Sequence, residues 1–131
     1  MRITKLLSLF IFASLLLLAA CGGGDNTVSA PAAPSAPSGN VAAGEVLFQQ
    51  SCASCHGPDA KGVAGLGKDM TTSTFIQGLN DEELLAFVKT GRPTSDSLNT
   101  TGVDMPPKGG NPALTDAQLL DIIAFIHSVQ E

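Results

Sequence analysis

The chain has 131 residues, of which 12 are acidic and 7 basic, giving a formal net charge of −5 at pH 7. That balance excludes a nucleic-acid binder held by phosphate contacts and a protein that adheres to anionic lipid by charge. Three cysteines, two histidines and no tryptophan or tyrosine leave few side chains to carry chemistry, so their spacing decides the reading.

Residues 1–20 have the form of an export signal. Arg2 and Lys5 make a basic start, and Leu6 to Leu18 is an apolar run broken only by Ser8 and Ser14. The run is short for a membrane span but normal for a signal core. Leu18-Ala19-Ala20-Cys21 then resembles a bacterial lipobox, which implies acylation of Cys21 as the first mature residue. Ordinary cleavage after Ala20 would set the bulky Leu18 at the minus-three site. Several acyl chains together anchor a protein stably to a membrane. Residues 21–40 read as a tether, with Pro31, Pro34 and Pro37 recurring every third residue and no Leu, Ile, Phe or Met. Such a segment favours an extended form and reaches roughly 25 Å as a flexible coil and about 60 Å fully extended. Losing Arg2 and Lys5 makes the exported part more acidic still, so a partner with a basic docking face is expected.

Residues 41–131 form one small domain, predicted all-α with three or more helices. A first helix is predicted from about Val41 to Cys55, with Val41, Phe48 and Cys52 near one face and Val46 and Leu47 beside it. A second starts after Asn80, where Glu83 completes a capping box, and Leu84, Leu85, Phe87 and Val88 supply its buried side. Lys89, Gly91 and Pro93 end it. A third starts after Thr115, with Gln118 three positions on and a stripe of Leu119, Ile122, Ile123 and Ile126. Between the helices lie two long loops, at about 57–79 and 92–114, which hold most of the domain's glycines and all its prolines. Loops of that length form little core of their own, and a large apolar cofactor to wrap would account for them.

The cofactor is read from Cys52-Ala53-Ser54-Cys55-His56, which has the form of c-type haem attachment. Positions i, i+3 and i+4 project from one side of a helix, so both thiols can bond one edge of a flat macrocycle while His56 reaches the iron. Export agrees with this chemistry. Zinc would need four ligands, and the only other histidine is His127. A thioredoxin-type redox pair would need a βαβ scaffold. A structural disulfide explains neither the histidine nor the loops. His127 is read as a solvated residue of the last turn.

A soft thioether suits the second axial position, and the mature chain offers Met70 and Met105. Core filling is the ordinary role of a methionine. Met70 is read that way, beside the ring edge. Met105 is read as the distal iron ligand, because its loop can pass over the opposite face and Pro106 and Pro107 stiffen the backbone after it.

With "CASCHG", then "MPP" about fifty residues on, then the terminal "LLDIIAFI", residues 41–131 resemble class I c-type cytochromes, which are monohaem electron carriers. The resemblance implies the small cytochrome c fold around one covalently bound haem c. It implies that the first and last helices cross, with Gly44, Phe48 and Phe125 at the contact. It also implies a backbone carbonyl in "GLGKDM" that accepts from the ligand histidine, where Lys68 stands at the family's usual proline. Many relatives hold the haem propionates with Trp or Tyr, which are lacking here. Arg92 is the first candidate for that role, ahead of Lys108, Asn99 or backbone amides. The expected function is a carrier, not an enzyme, tethered on the outer face of a cell membrane or in the periplasm and shuttling electrons between membrane-bound redox complexes. A peroxidase-like haem enzyme or gas sensor, and a fixed subunit of a larger oxidoreductase, are the alternatives.

Overall fold

The computed structural model describes residues 39–131. The expected signal at 1–20, the expected lipidation site Cys21 and all but the last two residues of the expected tether lie outside the described residues. Among the described residues five α-helices run in order: α1 at Val41–Ser51, α2 at Ala53–His56, α3 at Thr74–Gln77, α4 at Asp81–Thr90 and α5 at Asp116–Ser128. A 3-10 turn at Pro107–Gly110 precedes α5. Among the described residues no strand forms, and the only extended pairing is two isolated bridges. The architecture is the all-α one predicted.

Both capping boxes form. Asn80 accepts from the Glu83 N–H at 2.9 Å while Glu83 accepts from the Asn80 N–H at 3.0 Å, so α4 starts where its sequence says. Thr115 and Gln118 make the same exchange at α5. Asn40, at the end of the tether segment, caps α1 by accepting from the Ala43 N–H at 3.0 Å. Its own N–H donates to the Asp121 carboxylate at 2.7 Å, which joins the domain's first residues to α5.

The core sits where α1 crosses α5 and α4 packs beside them. Gly44 lies against α5 so closely that a Cβ there would stand 1.8 Å from the Asp121 carbonyl oxygen. One turn on, Phe48 is fully buried and its ring meets that of Phe125 at 5.1 Å and 50°. Leu119, Ile122, Ile123 and Ile126 of α5 and Leu84 and Val88 of α4 are buried, and Ala124 and Phe125 join them.

Three expectations change. The first helix does not run through to Cys55: it stops at Ser51, and α2 restarts after Cys52, whose φ of −119° is stretched from the usual helical value within the right-handed region. Val41 and Val46 are exposed, because α5 covers only the narrow stripe of Gly44 and Phe48. His127 is half-buried rather than solvated, since the last turn of α5 abuts the start of α4 and brings its Nε2 within 3.2 Å of Asp81.

Candidate functional site

A cavity of about 400 Å³ opens between the two long loops and the helices. Cys52, Cys55 and His56 stand on one side of its lining and Met105 comes from the loop after α4. Ile76, Leu84, Val88, Ile122 and Ile126 give it an apolar wall. The volume lies in the range of small-molecule and cofactor sites. Its residues come from segments more than fifty positions apart, which the α1–α5 crossing and the packing of the Pro107–Gly110 turn against α1 help bring together.

The break at Cys52 presents the attachment motif. The Cys52 N–H still bonds to the Phe48 carbonyl at 2.8 Å, and its own carbonyl accepts from the Cys55 and His56 N–H groups at 3.1 and 3.0 Å. No disulfide joins Cys52 to Cys55. Burial, and then the proximity of Cys55, push the Cys52 thiol up to about 11, so it stays neutral at physiological pH.

His56 Nδ1 lies 2.9 Å from the Lys68 carbonyl oxygen. A carbonyl can only accept, so the proton sits on Nδ1 and Nε2 carries the free lone pair that a metal needs. Burial holds the His56 pKa below its ordinary value, partly offset by this bond, so the neutral form is favoured. The acceptor is Lys68 itself, so the residue standing in place of proline still provides the orienting carbonyl. A bond of this kind fixes the ring and raises its basicity.

Met105 is held by backbone. Its N–H donates to the Arg92 carbonyl and the Arg92 N–H donates to the Met105 carbonyl, both at 2.9 Å. Gly91, with φ of 72°, lets the chain pass here, since a Cβ would meet the Met105 carbonyl oxygen at 2.3 Å. Met70 is buried and lines the same cavity. Its carbonyl accepts from the Gln130 side-chain amide.

Arg92 also reaches the cavity. Its guanidinium carbon lies 4.6 Å from the Phe75 ring centre and 4.7 Å from that of Phe87. Its Nε is 3.3 Å from an Asp96 carboxylate oxygen, but the angle is not that of a hydrogen bond, and this buried N–H has no hydrogen-bond acceptor. An unsatisfied buried donor in the cavity wall suits an anionic group on a bound cofactor. Lys108 is not at the cavity: its ammonium bonds the Leu114 carbonyl at 2.7 Å. Asn99 does line it. Sequence reasoning missed the Phe75–Arg92–Phe87 stack, because α3, which brings Phe75 in, is too short to show a period.

Two thiols, an oriented imidazole, a thioether and the Arg92 guanidinium around an apolar slot fit an iron macrocycle with acidic side groups. Among the described residues no three His, Cys, Asp or Glu side chains gather to hold a bare metal ion. Fold and cavity together define a small all-α haem domain.

Residues 41–130 match the family described as Cytochrome c, and the chain belongs to that family. Its cofactor is therefore covalently bound haem c. It is 33% identical over 88 residues to cytochrome c-555 of Chlorobaculum thiosulfatiphilum, covering 66% of this chain and 93% of that one. It is 31% identical over 88 residues to the cbb3-type cytochrome c oxidase subunit CcoP of Rhodobacter capsulatus, covering 66% of this chain but only 28% of that subunit. Among solved structures, cytochrome CL of Methylophaga aminisulfidivorans matches with a TM-score of 0.52 and 28% identity, over 69% of this chain and 53% of that one.

Proposed function

We propose that this chain is a one-electron carrier: a class I, monohaem cytochrome c domain, exported and lipid-anchored through Cys21, and tethered by residues 21–40. When bound, haem c supplies a reversible one-electron couple at its iron. Cys52 and Cys55 would hold it by thioethers, His56 Nε2 and Met105 would fill the two axial positions, and Arg92 would pair with a propionate. The observation that carries this reading is the pairing in one cavity of an imidazole with a free Nε2 and a thioether strapped by two backbone bonds. With both axial positions filled from the chain, no position is left for substrate, and methionine ligation raises the potential by favouring reduced iron. The acidic balance of the exported part suits membrane-bound redox partners with a basic docking face.

Two variants test the ligand assignment. Met105→Ala should keep its haem, take up carbon monoxide readily, shift toward high spin and fall in reduction potential. Met70→Ala should keep the low-spin spectrum and lose only packing, on the order of 2–5 kcal/mol for a buried methionine. If Met70→Ala opens the iron and Met105→Ala does not, the assignment is reversed. A fixed subunit of a larger oxidoreductase is the second reading, favoured by the similarity to the Rhodobacter CcoP subunit. Purification from native membranes separates the two: a shuttle comes away alone, whereas a subunit stays with its complex.

A further inference from the structure

We infer that Asn99 is a positioning residue for the Met105 sulfur. The inference rests on the reading of Met105 as the distal ligand. The loop at 93–104 leaves α4 through Gly91 and returns at Met105. Among the described residues, its two limbs are joined backbone to backbone only by the Arg92–Met105 bridge. Beside the bridge the Asp104 carboxylate accepts from the Thr94 N–H, so both of these ties sit at the base of the loop, and a twist of the limb beyond them bears on the side chain of Met105. Asn99 adds a restraint farther along the loop.

Its side chain is half-buried in the cavity wall and uses both ends of the carboxamide. The amide nitrogen donates to the Val103 carbonyl at 2.8 Å, on the returning limb two residues before Met105. The same nitrogen reaches the Arg92 carbonyl on the departing limb at 3.4 Å. That carbonyl is the one that accepts from the Met105 N–H. The amide oxygen accepts from the N–H groups of Thr101 and Gly102 at 3.2 and 3.1 Å, fixing the turn between. One side chain therefore does locally what a further ladder of strand pairing would do. The work requires a donor and an acceptor on separate atoms of one short stem, which the asparagine carboxamide offers.

The donor end is the part that crosses between limbs, and this makes the inference separable from a role in loop stability alone. Asn99→Asp keeps an oxygen for Thr101 and Gly102 but removes both donations. Asn99→Ala removes everything. Both should be prepared in the full-length, haem-loaded protein beside Met105→Ala. Carbon monoxide uptake by the ferrous form and the sulfur-to-iron charge-transfer absorption of the ferric form report whether the sulfur is on the iron. Covalent haem content and helicity report whether the domain is folded.

Both Asn99 variants are expected to raise the sulfur-off fraction about tenfold, equivalent to about 1.4 kcal/mol, with haem content and helicity unchanged. Carbon monoxide uptake should rise with it and the charge-transfer band should weaken. If Asn99→Ala fails to fold, Asn99→Asp gives the answer alone. Wild-type uptake and band in Asn99→Asp, with Met105→Ala opening the iron, overturn the positioning role. If Met105→Ala itself leaves uptake and band unchanged, the ligand reading fails and the positioning role falls with it.

Discussion

Replacing Gly44 by alanine sets two effects of opposite sign against each other. In an isolated helix the change stabilises by about 1 kcal/mol, because alanine has the better propensity. Here the new methyl carbon would stand 1.8 Å from the carbonyl oxygen of Asp121, 2.4 Å from its carbon and 3.0 Å from the Ile122 nitrogen. All three are backbone atoms of α5, so no side-chain rotation relieves the clash and the helices must part. A gap of about 1 Å forfeits up to half of the dispersion energy at each contact it opens. The Phe48–Phe125 pair, one turn away, is among those contacts. Overpacking of this kind costs about 3 kcal/mol, the upper end of its usual range, because nothing flexible absorbs it. The net expectation is a loss of about 2 kcal/mol, which lowers the melting temperature of a domain this size by roughly 10 °C. Heat and denaturant unfolding of the ferric haem protein, followed by far-UV circular dichroism, measure it. An alanine variant as stable as the parent would refute the close approach and leave propensity as the larger effect.

Removing both thiols, Cys52→Ala with Cys55→Ala, should abolish covalent haem retention and leave the domain largely unfolded, since four phenylalanines make a thin core around an unfilled slot. Acid-acetone treatment of the parent checks attachment, and haem that extracts freely contradicts it. Cys21→Ser should release the domain to the soluble fraction or trap it unprocessed; an N-terminal peptide without acyl mass in the parent would sink the lipoprotein reading. Asp69 accepts from the hydroxyl and the N–H of Thr71, both at 2.7 Å, and the hydroxyl bond is foremost in holding its carboxyl below the ordinary value of 3.8. A depressed folded value means its contribution is present above the unfolded value and is lost as pH falls through the folded one. Asp69→Asn should therefore be the less stable at pH 7, with the difference closing below about pH 4. A gap that stays constant down to acid pH would show that ionisation is not involved.

What could be read from the sequence was mostly local. The starts of α4 and α5 were legible because a capping box is written in four consecutive residues, and the attachment motif because its chemistry depends on spacing alone. The crossing of α1 and α5 came through resemblance, and the approach of Gly44 to Asp121 bears it out. The rest was settled by contacts between distant segments. The break at Cys52 has no marker in an otherwise helical run. Val41 and Val46 sit on a helix that packs along one narrow stripe, so their apolar character did not bury them. The seat of Arg92 between Phe75 and Phe87 joins residues from three different segments, and no local pattern reports that. Asn99 followed by Thr100, Thr101 and Gly102 did carry the signature of a side-chain-capped turn, but nothing in it pointed to Met105.

The pairing of α1 with α5 also sets an order of assembly. Gly44 and Asp121 touch across nearly the whole length of the domain. Closing a loop that long in an unstructured chain costs about 4 kcal/mol of entropy by the logarithmic rule. Synthesis runs from the N-terminus, so α1 and the Cys52–His56 motif are made first and α5 last. Until α5 arrives, Phe48 has no ring to meet and the motif rests on an unclosed chain. The half-buried thiols are then more accessible than in the closed domain.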